Sequence, residues 1–186
     1  MLRAGLVDEA VLSPDGTWLL VRDGASGSVR GGRDIRGLRL GVDTALAPLI
    51  ATRFDEQAVS VSPDGRWVAY HADETGRNEV FVRSFPRTDD VKRQLSSTGG
   101  SSPLWSRDGR ELFFVNENRE MMSAAVVSAT DADAPIQFAR PVPLFRVPDD
   151  LLNVEYVFYT PWDVAPMDDF LWRAAFRWRA GSSRAS

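Results

Sequence analysis

The sequence predicts an all-β protein assembled from repeated four-stranded antiparallel units. Three observations carry the prediction. A short turn motif returns along the chain, an unbroken apolar run follows each copy, and the gaps between runs show no helical periodicity.

The turn motif comes first as Ser13-Pro14-Asp15-Gly16-Thr17-Trp18 and again as Ser62-Pro63-Asp64-Gly65-Arg66-Trp67. A looser copy is Ser106-Arg107-Asp108-Gly109-Arg110-Glu111, and a decayed one is Ala165-Pro166-Met167-Asp168-Asp169-Phe170. The serine positions recur at intervals of 49, 44 and 59 residues. The first two match the ~40–50 residues of a four-stranded blade. The third implies an insertion around Pro148 to Tyr156. Proline presets the backbone for a type I turn, aspartate bonds its own backbone, and glycine takes the left-handed conformation that closes the hairpin. Pro14, Asp15, Gly16, Pro63, Asp64, Gly65, Asp108 and Gly109 are thus read as structural turn residues. The fourth copy has Asp168 in place of the glycine, which weakens it.

The runs after the turns are Trp18 to Val21, Trp67 to Tyr70, Leu112 to Val115 and Phe170 to Trp172. A sheet with one wet face alternates apolar and polar residues; a continuous run means that both faces are covered. A further strand follows in each unit, near Asp34 to Leu40, Glu79 to Arg83 and Glu120 to Ala124, and each opens on an acidic residue. Short last strands are expected near Leu49-Ile50, Arg93 to Leu95 and Leu144-Phe145. First strands are expected at Ala10 to Leu12, Ala58 to Val61 and Pro103 to Trp105. Four-stranded sheets sandwiched between their neighbours are the blades of a β-propeller. The expected organisation is repeats over residues 1–171, with units at 7–51, 57–96, 101–146 and, degenerate, 156–171. A basic and aromatic tail at 172–186 is read as a final strand with a disordered end. Three to four blades make a partial propeller, whose open faces would seek the missing blades of a longer chain or self-associate.

Composition bounds the function. The chain has 186 residues, a net charge of -4 and no cysteine. A general nucleic-acid binder is disfavoured by the charge, and thiol chemistry and Cys-based zinc sites are excluded. No stretch has the ~20 apolar residues of a membrane span. Catalytic signatures are missing too. His71 is the single histidine and is read as structural or exposed on its strand. No Gly-x-Ser-x-Gly elbow, His-Arg-Asp, Asp-Phe-Gly or glycine-rich phosphate loop occurs. The repeated turn aspartates lack the spacing of a calcium loop, and Asp131-Ala132-Asp133 is read as a solvated loop. No enzymatic activity, cofactor or metal is expected.

The stretches Val59 to Pro86 and Gly99 to Phe114 resemble the TolB-like propeller repeat. Together they are similar to the C-terminal propellers of certain bacterial transmembrane serine/threonine kinases. The resemblance covers roughly Val7 to Phe170. It implies a non-catalytic interaction or sensor module, extracytoplasmic or periplasmic, forming the C-terminal part of a larger bacterial protein and meeting a protein or peptide partner. The alternative it leaves open is the accessory propeller of a prolyl-oligopeptidase-like hydrolase whose catalytic domain lies elsewhere.

Overall fold

Turn chemistry and strand composition together dictate a meander. The fold is seen in a computed structural model that describes residues 7–23, 33–127, 135–148, 160–164, 169–172 and 176–179. Residues 1–6, 24–32, 128–134, 149–159, 165–168, 173–175 and 180–186 lie outside the described residues, and with them most of the expected insertion and of the fourth motif copy.

The first blade comprises β1 (Val7–Leu12), β2 (Trp18–Asp23), β3 (Ile35–Arg39) and β4 (Ala47–Ile50). The second comprises β5 (Glu56–Val61), β6 (Trp67–Ala72), β7 (Glu79–Ser84) and β8 (Lys92–Gln94). The third comprises β9 (Ser101–Trp105), β10 (Glu111–Val115), β11 (Glu120–Ala125) and β12 (Val142–Arg146). Each is an antiparallel four-stranded sheet whose spatial order is its chain order. The fourth sheet has three described strands: β13 (Trp162–Val164), β14 (Asp169–Trp172) and β15 (Phe176–Arg179). It therefore runs beyond residue 171, and β15 pairs antiparallel with β14 inside the segment read as a tail.

Alternation decides which neighbour each side chain meets, because successive residues of a strand point to opposite faces. In β6, Val68, Tyr70 and Ala72 join the core shared with the first blade, alongside Leu20, Ile35 and Ile50. Trp67 and Ala69 join the core shared with the third, alongside Trp105, Leu112 and Phe114. Phe113, Val115 and Met121 turn instead to Trp162 and Val164 of the fourth. All six residues of β6 are buried. That is the physical content of the unbroken apolar runs: each blade is one layer in a stack.

The first strands of successive blades approach one another, β1 on β5 and β5 on β9. Each carries an irregularity in register with its partner, between Val7 and Glu9, between Gln57 and Ser60, and opposite Phe113 to Val115. Ala58 and Ser102 hold the same repeat position there, and both have a left-handed φ of 53°. A bulge of this kind bends and twists the strand.

Candidate functional site

Three polar zones stand out along a blade: the turn end, the inner strands, and the seams at the opposite end.

At the turn end the three motifs share one bonding plan. The amides of Gly16, Gly65 and Gly109 donate to the carbonyls of Ser13, Ser62 and Ser106. These glycines have φ of 68°, 69° and 71°. Asp15 accepts from the Ser13 hydroxyl and, at 3.0 Å, from the Thr17 amide. Asp64 and Asp108 accept likewise from Ser62 and Arg66 and from Ser106 and Arg110. The serine is the part sequence reading left without a role. Its Oγ donates to the aspartate and accepts the amide five residues on, at 2.9 Å in all three turns: Trp18, Trp67 and Glu111. Its strict recurrence at one offset was the available signal. These hydrogen bonds hold the Asp15 carboxylate at a pKa of about 2. Pro14, Asp15, Gly16, Pro63, Asp64, Gly65, Asp108 and Gly109 thus sit in three like turns at one end of the blades.

On the inner strands a line of buried polar groups crosses from blade to blade. Arg22 and His71 hold the same repeat position at the ends of β2 and β6, and both are buried. Glu9 lies 3.8 Å from Arg22 and accepts the amide of Val59 at 3.1 Å. His71 Nδ1 accepts the amide of Ser102 at 3.3 Å, and Ser60 Oγ accepts that of Trp105 at 3.3 Å. Burial, helped by the charge of Arg22, lowers the His71 pKa to about 3. An imidazole held neutral this firmly is poorly matched to proton transfer near neutral pH. It satisfies a backbone amide between two blades.

At the seams the acidic residues that open the third strands acquire a role. Glu79 is buried and accepts from Arg77 Nε at 3.0 Å, from the Gly99 amide at 3.1 Å and from the Ser96 hydroxyl. Glu120 accepts from Asn116 Nδ2 at 2.8 Å. Among the described residues no group of three or more His, Asp or Glu side chains is arranged to hold a metal ion. Asp131 and Asp133 lie outside the described residues. No described helix is long and apolar enough to cross a membrane.

No protein-family model matches the chain. No curated protein matches it either. Solved structures do. A puromycin-hydrolyzing peptidase from Mycobacterium tuberculosis aligns with 90% of this chain and 28% of its own length, at 18% identity and a TM-score of 0.62. A protein described as a putative TolB from Agrobacterium tumefaciens aligns with 97% of this chain and 58% of its own, at 16% identity and a TM-score of 0.55. TolB from Acinetobacter baumannii aligns with 74% of this chain and 33% of its own, at 18% identity and a TM-score of 0.50. The chain thus spans less than two thirds of the length of each of these proteins. By fold, it is a partial β-propeller related in structure to the TolB-like propellers.

Proposed function

We propose that this chain is part of a longer β-propeller and serves as a non-catalytic interaction or sensor module. The observation that carries the reading is the face of the first blade that turns away from the second. Leu12 holds the repeat position of Val61 and Trp105. Val61 packs against the core shared with the preceding blade, and Trp105 is buried in the next such core. Leu12 is 57% exposed. A sheet face built like its buried counterparts, yet open at its rim, is suited to receive another sheet. The sequence resemblance to kinase-associated propellers supplies the kind of parent, a receptor-type kinase in which the propeller would lie outside the cytoplasm and bind a protein or peptide. The accessory propeller of a hydrolase is the second reading, favoured by the likeness to the peptidase. In both, the chemistry resides in another domain.

Light scattering across a wide concentration range tests the first step. The chain is expected to self-associate through this face, and Leu12→Asp is expected to shift it toward monomer. A wild-type monomer throughout, with sharp cooperative unfolding, would show that the blades need no partner and would sink the reading. Turnover of ATP or of a model peptide that survives repurification would contradict the non-catalytic assignment.

A further inference from the structure

The seam between the first and second blades buries a carboxyl group at a repeat position that the next seam fills with glycine. At the second seam, Glu79 is the buried carboxylate and Ser96 its hydroxyl partner. The residue six before the turn serine is Gly100, and a Cβ there would lie 2.6 Å from Ser96 Oγ and 3.0 Å from Val80 Cγ2. At the first seam, Asp34 stands where Glu79 does, since Ile35 pairs with Arg22 as Val80 pairs with His71. Thr52, four residues before Glu56 as Ser96 is four before Gly100, supplies the hydroxyl. Glu56 stands where Gly100 does. A buried carboxyl group therefore stands at a position where the second seam has no side chain.

Glu56 is fully buried and accepts from the Thr52 hydroxyl and, at 3.5 Å, from the Thr52 amide. From the first blade, Arg33 gives its carbonyl to the Glu56 amide and its guanidinium to Asp55 at 2.9 Å. From the second, Ala72 lies opposite Glu56, flanked by neutral His71 and, beyond it, by Tyr70, whose hydroxyl accepts from Arg83. Past β6, Asp73 accepts the Asp55 amide and Glu74 is paired with Lys92. Arg53 lies over the Phe54 ring.

We propose that Glu56 makes this junction a pH-sensitive clasp, closed around the protonated, buried acid and loosened when Glu56 ionises. Burial, aided by the charges of Asp34 and Glu74, raises the Glu56 pKa from 4.5 to about 7 against the opposing Thr52 hydrogen bonds. The folded state then binds this proton more tightly than the unfolded state. Stability is complete below the ordinary carboxyl range, falls as pH rises toward 7, and levels off above it. Within that window each pH unit raises the opening constant by up to about tenfold.

The test is urea unfolding of the whole chain from pH 5 to pH 8, with Glu56→Gln and Glu79→Gln as variants. The wild type is expected to lose stability across the window by about tenfold or more in the unfolding constant. Glu56→Gln, a neutral isostere, is expected to flatten the slope, and Glu79→Gln to keep it. A flat wild-type profile, or an unchanged slope in Glu56→Gln, would overturn the clasp. Asp34→Asn keeps the test decisive if Glu56→Gln does not fold. It removes a neighbouring charge and is expected to move the window to lower pH, and an unmoved window would count against the proposal.

Discussion

The first and second blades share a turn motif, a strand order and a bonding plan, yet they are buried differently. In the second, Val68, Ala69 and Tyr70 are all inaccessible, and Trp67 nearly so. In the first, Leu20, Ile35 and Ile50 are buried toward the second blade; on the other face Val21 is buried too, but Ala10 and Leu12 are exposed and Leu19 and Leu38 half-buried. Sequence does not explain the contrast, since Leu12 and Leu19 are as apolar as Val61 and Val68. Position does: the second blade has a neighbour on each side. A blade's stability is thus held partly outside its own sheet, as in other stacked repeats. The same repeat position is packed in one blade and exposed in another.

The largest way to break the comparison is to cut the cores. Phe81, stacked on Tyr70 at 5.7 Å between ring centroids, anchors the second blade to the first. Phe81→Ala is expected to cost about 3–5 kcal/mol in urea unfolding. Leu12→Ala is expected to stay within about 0.5 kcal/mol under monomeric conditions. Similar losses for the two would mean that the first blade's outer face is covered after all.

A smaller effect isolates the turns from the stack. Gly65 has φ of 69° with nothing within 4 Å of where a Cβ would sit, so substitution there meets backbone strain and no clash. Gly65→Val is expected to cost about 1–3 kcal/mol, visible as a lower thermal midpoint. Thr75→Val, at an exposed loop position, is expected to shift it little. Equal shifts would break the turn assignment.

Smaller again is the serine relay. Ser62 Oγ accepts a buried amide, whereas the bond from Ser13 to Trp18 is only part-buried. Ser62→Ala is expected to cost about 1 kcal/mol or somewhat more, and Ser13→Ala less, because leaving a donor unsatisfied is costlier away from water. The pair of midpoints sharpens the comparison by measuring how far the stack dries each turn.

The smallest effect is acidic. Asp15 is held at about 2, first by its hydrogen bonds to Ser13 and Thr17, below the ordinary 3.8. Its contribution is present above pH 4 and lost as pH falls toward 2. Asp15→Asn is expected to remove a slight part of the acid-induced loss of stability below pH 4. An unchanged acid limb would mean that these bonds do not persist in solution.

Local chemistry made much of this legible in advance. The Ser-Pro-Asp-Gly motif fixes a turn through bonds among adjacent residues, so its copies could be counted without the fold. Unbroken runs such as Trp67 to Tyr70 announced two covered faces. The site was less legible. His71 and Arg22 occupy one repeat position, but nothing local says that the imidazole meets the amide of Ser102, 31 residues away. The acid Glu79 was visible as a strand opener without a role, because its hydroxyl partner, Ser96, arrives only when the chain crosses to the next blade.

The sequence by itself determined the repeat, the strand count of the three full units and the all-β class, because turn geometry and alternation act over a few residues. Only the tertiary structure decided which acid meets a cation and which is buried against a neutral hydroxyl. Arg77 sits against Glu79, while Glu56 is held by the Thr52 hydroxyl. Whether a carboxyl keeps its proton depends on the solvent it loses and the charges it gains at a seam, and both are set by the packing of one blade on the next.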